Sequence, residues 1–219
     1  MKTFRNCSCL AVAFLLGGCN PLMQASLDTF KATALGVERL QLSPAQVQAV
    51  PYAQIKVTTD SSEGVMARLR QQGDLGFWVA SGKQVLLLRD GLAVRSVGLH
   101  PNLDGTRFDG ESPFKRGLQQ LPDGYRSTRW IDLYQGQRVG LAVHSRFSRQ
   151  SIETVTILDK DYALQRIDER IDIPELGFHA TNRFWVRPDD GLVLQSEQHL
   201  TPELFLKIVH LRPDWETAR

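Results

Sequence analysis

Residues 84–99 read QVLLLRDGLAVRSVGL, two apolar runs that meet at Asp90-Gly91. A two-residue hairpin loop needs positive φ at its centre, which Asp and Gly tolerate, so this spacing predicts two antiparallel strands joined there. The same texture extends in both directions. Tyr52–Thr59 alternates apolar and polar residues, and Val65–Arg70 and Phe77–Ala80 lead up to the hairpin. After it come YRSTRWIDLY (125–134), RVGLAVHSRF (138–147), IETVTIL (152–158), YALQRIDERIDI (162–173), NRFWVRP (182–188), GLVLQSEQHL (191–200) and LFLKIVHL (204–211). Short β-branched and aromatic runs bounded by Gly, Pro and Asp read as strands. Ser81-Gly82 and the 188–191 group PDDG read as further hairpin turns.

About eleven strands and no long helix after residue 51 predict a mainly β fold. Tight turns favour an antiparallel meander, curled into a bent or coiled sheet or a barrel-like sandwich. Residues 101–124, PNLDGTRFDGESPFKRGLQQLPDG, are rich in Pro, Gly and Asp and read as a long irregular excursion or mobile loop. No internal repeat or low-complexity tract is visible, so residues 52–219 are expected to form one domain.

The N-terminus has a different character. Lys2 and Arg5 precede an apolar run, Cys9–Leu16, that is too short for the ~20 residues of a membrane span. It has the proportions of a secretory signal. The order Leu16-Gly17-Gly18-Cys19 resembles a bacterial lipobox, in which small residues let the chain enter the peptidase and the thiol takes up lipid. The alternative is a plain signal peptide with an incidental cysteine. On the lipobox reading, residues 1–18 are a signal peptide and 19–51 a lipid-anchored tether. Within the tether, Leu27, Phe30, Ala34 and Leu35 fall near helical spacing over residues 23–35, and residues 41–50 read as a linker. Diacylglycerol and palmitate on Cys19 would hold the chain stably, since two or more acyl chains suffice. Asn20 is not the Asp that retains lipoproteins at the inner membrane, so the expected place is the periplasmic face of the outer membrane.

Removing residues 1–18 from the 219 leaves 201, with Cys19 as the only cysteine and its sulfur occupied by lipid. No internal disulfide or cysteine metal site is then available. Two basic residues leave with the signal, which balances the charge at 24 basic and 24 acidic. That argues against a nucleic-acid partner.

Gly-x-Ser-x-Gly, phosphate-loop, His-Glu-x-x-His and Cys-x-x-Cys patterns are absent from the sequence, and the five histidines show no ligand spacing. The loop NLDGTRFDGE lacks the ladder of a calcium site and contains Arg107. The expectation is therefore no metal, no cofactor and no enzyme. Aromatic residues offer a different chemistry. Trp78, Trp130 and Trp185 lie in predicted strands, with Tyr134 close to the second and Arg183 and Arg187 beside the third. Alternate strand residues share a face, so Arg183, Trp185 and Arg187 project together. They form either a carbohydrate-contacting face or core tryptophans with arginines at the rim.

Taken together, the lipobox, the Trp78 strand, the Asp90-Gly91 hairpin and the run Gly98-Leu99-x-x-Asn102-Leu103 resemble the YjbF family. So does Asn182-x-Phe184 leading to Gly191, Ser196, Gln198 and Pro202. These are the group 4 capsule and exopolysaccharide lipoproteins. The resemblance spans nearly the whole mature chain. It implies an outer-membrane lipoprotein with a mostly antiparallel β fold, associated with capsule or exopolysaccharide export; it carries over no catalytic residue, and its one functional residue here is Cys19, the site of lipidation. Its expected partners are the membrane, through the lipid, the polysaccharide, and export or assembly proteins of the envelope. A polysaccharide hydrolase or lyase and a lipid or lipoprotein carrier are the alternatives. The anchor is directly testable: Cys19→Ala should move the protein from the membrane fraction to the soluble periplasm. Continued co-fractionation with the outer membrane would refute the lipobox.

Overall fold

A computed structural model describes residues 40–212. Cys19 and the helix expected over 23–35 lie outside the described residues. Twelve strands form one antiparallel sheet: β1 (Gln54–Thr58), β2 (Glu63–Gln72), β3 (Leu75–Val79), β4 (Val85–Arg89), β5 (Leu92–Val97), β6 (Leu103–Phe108), β7 (Arg126–Leu133), β8 (Arg138–Ile157), β9 (Lys160–Ile173), β10 (Phe178–Val186), β11 (Val193–Thr201) and β12 (Leu204–His210). The order is β5-β4-β3-β2-β1-β12-β11-β10-β9-β8-β7-β6, a meander whose first and last strands pair in the middle. The two edges, β5 and β6, are therefore consecutive in the chain. They come together in a nearly closed barrel, where Leu103 N–H donates to Ser96 Oγ at 2.9 Å and Leu99 N–H to Asn102 Oδ1 at 3.0 Å.

The quoted hairpin forms as the sequence predicts. Arg89 pairs with Leu92, and Asp90 (φ 49°) and Gly91 (φ 87°) supply the two positive φ values of the loop. Three segments differ from the expectation. Residues 138–157 make one strand of 20 residues rather than two, because a bulge near Arg149 bends β8 without ending it. The 101–124 excursion contains β6, a turn of helix α2 (Pro113–Arg116) and a 3₁₀ turn at Leu118–Gln120, with Phe114, Leu118 and Leu121 buried. The expected linker holds helix α1 (Pro44–Gln48), which Ser43 and Gln46 close as a capping box. Val47 of α1 is buried, and its carbonyl accepts from Gln54 Nε2 at 2.8 Å.

The interior is apolar except for a belt that crosses it. Arg129 of β7, Ser145 of β8, Glu169 of β9 and Asn182 of β10 are all buried. Arg129 donates to both Glu169 and Ser145, Ser145 Oγ to Glu169 at 2.6 Å, and Asn182 Nδ2 to Glu169 at 2.9 Å. Asn182 Oδ1 then accepts from His199 N–H of β11 at 2.8 Å. From the same strand, Gln198 reaches across the barrel to β5 and its turn. Its Oε1 accepts from Ala93 N–H at 2.9 Å, and its Nε2 donates to Gly91 O at 2.8 Å. Around these groups the packing is tight, with a void of only about 10 Å³ beside Arg129, Asn182 and Gln198.

The outer wall is charged, with Arg146, Arg170, Arg183, Glu197 and Lys207 all facing away from the buried set. A barrel facing lipid places its apolar residues outward instead. One apolar cluster lies on the outer side of the wall. Beyond their pairing with β10, the ends of β8 and β9 extend as a two-stranded arm, and Ile157 and Leu164 of this arm pack with Trp185, Leu194 and Val209.

Glu169→Ala leaves Arg129 buried without its counter-charge. Urea unfolding should show a loss of about 3–5 kcal/mol, the usual cost of breaking a buried ion pair from one side. Arg170→Ala, one residue along and facing solvent, should change stability by under about 0.5 kcal/mol. Equal effects would mean that the belt carries no special weight.

Candidate functional site

The aromatic residues singled out from the sequence separate into two groups. Trp78 is 2% exposed and packs edge-on against His210, with the Arg68 guanidinium 5.5 Å from its ring centre. Trp185 does face outward with Arg183, as alternation requires, but the β8–β9 arm covers it to 7% exposure and Glu153 accepts its Nε1–H at 2.7 Å. These two rings are core, the second of the two alternatives that the sequence left open, which removes them from the candidate carbohydrate-contacting face. Arg183 pairs with Glu197 at 3.0 Å, and Arg187 pairs with Asp190. Trp130 is half-buried on the outer face of β7, and Tyr134 just beyond that strand is 65% exposed.

An open groove of about 890 Å³ lies on the outer wall near Trp130. It runs across β7, β8, β9 and β10, and strand register explains its form. Its floor is the backbone of Ser127, Ser145, Ile171 and Ala180, which lie side by side on the four strands. On one side stands the row Arg126, Arg146, Arg170 and Thr181; on the other stands Thr128, His144, Asp172 and His179. The two rows are two residues apart along each strand, ~7 Å, and the four strands span ~14 Å. Thr128 Oγ1 lies 3.1 Å from His144 Nδ1, and His179 Nδ1 lies 2.9 Å from Asp172. Trp130 is one step beyond Thr128 on the same face. Nothing in the linear sequence marks this groove, because cross-strand register is what aligns three distant arginines.

A second cleft, about 580 Å³, opens at one end of the barrel among three turns and the α2 segment. It holds Asp74, Asp90 and Asp190. Asp90 is pushed above the ordinary aspartate value, first by burial and then by the Asp74 carboxylate, with Arg89 and Lys115 pulling partly back. Asp190 is held below it, chiefly by its hydrogen bond from Arg187. Trp78 Nε1, Asp90 Oδ2 and Gln119 Oε1 line this cleft and have no hydrogen-bond partner among the described residues. Nor does any group of three or more His, Cys, Asp and Glu residues suited to a metal ion occur among them.

For Asp90 the linkage sign is definite. A carboxyl whose folded value is raised favours the folded state when protonated and opposes it when ionised, so its contribution is lost as pH rises from the unfolded value through the folded one. Asp90→Asn retains a side chain that tolerates the turn's positive φ and removes the charge. Its thermal midpoint should exceed the parent's at pH 7 and match it near pH 3. A gain of equal size at both values would assign the effect to the turn rather than to the charge.

Similarities to known proteins agree with this architecture. The family model described as "Group 4 capsule polysaccharide lipoprotein gfcB, YjbF" matches residues 27–211. An uncharacterized lipoprotein GfcB from Escherichia coli strain K12 is 26% identical over 190 residues, covering 86% of this chain and 88% of that protein. The crystal structure of the hypothetical lipoprotein YmcC from Escherichia coli K12 superposes with a TM-score of 0.72 at 23% identity, over 79% of this chain and 90% of that one. A putative exported protein with a YmcC-like fold from Bacteroides fragilis is more distant, with a TM-score of 0.37 at 14% identity, over 73% of this chain and 92% of that one. With a family match over residues 27–211, the chain belongs to the YjbF family of group 4 capsule polysaccharide lipoproteins.

Proposed function

We propose that the protein is a non-enzymatic accessory of capsule or exopolysaccharide production, anchored through lipid on Cys19 at the periplasmic face of the outer membrane, and that it works by holding exported polymer. The observation that carries this reading is the open groove across β7–β10, about 890 Å³ and lined on its outward-facing positions by polar side chains alone. An extended hydrophilic chain needs such a surface: long, solvent-exposed and rich in hydrogen-bonding groups. The family's capsule association supports polymer as the occupant. The lipid-carrier alternative needs an interior cavity, and the void among the described barrel residues has room for about one water.

A second reading has one observation in its favour. In the turn-end cleft, Asp90 is raised and Asp190 held low, the kind of divergence that acid–base pairs in polysaccharide hydrolases display. On the binding reading, the full-length protein should be retarded in gels cast with the polymer exported by its source cell, and incubation should release no new reducing ends. Free mobility through that polymer would overturn polymer binding and leave an export protein as the partner. Reducing ends released by the parent but not by Asp90→Asn would establish the hydrolase.

A further inference from the structure

The outer wall treats charge differently in two neighbouring rows. In the row beside the groove, Arg183 stands opposite both Asp168 and Glu197, and Lys207 stands opposite Glu197. Opposite charges pair there, Arg183 with Glu197 at 3.0 Å and Lys207 with Glu197 at 3.8 Å. In the groove wall, by contrast, Arg126 stands directly opposite Arg146, and Arg146 directly opposite Arg170. Like charges placed opposite one another destabilise a sheet. Of the carboxylates that flank Arg170 along β9, Asp168 is engaged by Arg166 at 3.0 Å, and Asp172 lies 2.9 Å from His179 Nδ1. All three arginines are exposed, and none forms an ion pair among the described residues.

Each guanidinium carries five N–H donors and no acceptor, and its planar fork matches a carboxylate. Three forks at ~4.8 Å strand spacing therefore suit a ligand with closely spaced fixed anions. The facing wall is of another kind, with a hydroxyl at Thr128, imidazoles at His144 and His179 and one carboxylate at Asp172 between them, groups that can exchange hydrogen bonds with alcohols. No outward residue of either wall is apolar, so nothing here receives the hydrophobic side chains of a peptide.

We propose that this groove binds an acidic polysaccharide segment, with sugar carboxylates held by Arg126, Arg146 and Arg170 and sugar hydroxyls bonded to Thr128, His144 and Thr181. The proposal rests on the polymer-holding reading above and adds its chemistry and its place. Arginine repulsion is tolerated because the polymer relieves it.

The test uses the full-length protein in detergent with three probes: oligogalacturonate, its neutral methyl ester, and poly-glutamate. Oligogalacturonate should bind at about 0.05 M salt and weaken steeply toward about 0.5 M, where the Debye length is only a few ångströms. The methyl ester and poly-glutamate should each bind at least about tenfold more weakly. Arg146→Gln with Arg170→Gln should lower oligogalacturonate affinity about tenfold or more while leaving the thermal midpoint unchanged or higher. Lys207→Gln, which removes a cation from the compensated row, should not change binding. Poly-glutamate binding as tightly as the sugar would overturn the glycan as ligand. Unchanged affinity of the double arginine variant would overturn the groove as the site, while retardation by the native polymer would still uphold polymer binding. Absence of both interactions would remove this proposal and that reading together.

Discussion

A carboxylate with no solvent exposure sits at the centre of this barrel, and much of the architecture follows from keeping it satisfied. Glu169 accepts from Arg129, Ser145 and Asn182, drawn from three other strands. Desolvating such a charge is tolerable only with complete pairing. Because side chains alternate along a strand, a one-residue slip of β9 would turn Glu169 outward and bring Arg170 inside. The belt therefore pins the register of β7 to β10, and through Asn182 and His199 that of β11. The same alternation composes the outer surface. Arg170 follows Glu169, Arg146 follows Ser145, and Thr181 precedes Asn182, so these three groove residues are chain neighbours of belt residues. The inside of the wall thereby sets the geometry of the outside.

Polar cross-links also tie edge strand β5 across the barrel and across the seam. Gln198 reaches from β11 to Gly91 and Ala93, and Ser96 meets Leu103 across the seam. Several residues that carry the family resemblance in the sequence prove to be structural connectors, Asn102, Leu103 and Gln198 in these links and Asn182 in the belt. Their pattern identified a family without pointing to an activity because they hold the barrel shut rather than face a ligand.

Much of the fold was legible from local chemistry. The Asp90-Gly91 hairpin and most strands could be read from turn residues and period-two alternation, both of which depend on near neighbours. What escaped depended on distant ones. β6 hid in a stretch rich in Gly and Asp because its pairing with β7, rather than its own propensity, makes it a strand. Trp185 was assigned correctly to a face with Arg183, but no local pattern shows that the β8–β9 arm folds over that face. The arginine row was equally invisible: residues 126, 146 and 170 become neighbours only once two ladders are in register. Alternation tells which side a residue takes, and the ladders decide what it meets there.

The pairing of the first strand with the last has a consequence for biogenesis. The β1–β12 ladder joins residues 55–58 to 207–210, so the cylinder cannot close until the final strand has been delivered. Export supplies the chain from its amino end, and β2 to β5 are successive hairpins that can assemble on local contacts alone. One edge of β1 meanwhile remains an unpaired row of backbone donors and acceptors, a template for any passing strand. An anchor ahead of β1 would hold that open edge near the membrane surface throughout, so this nascent chain needs shielding most between the arrival of its first strand and its last.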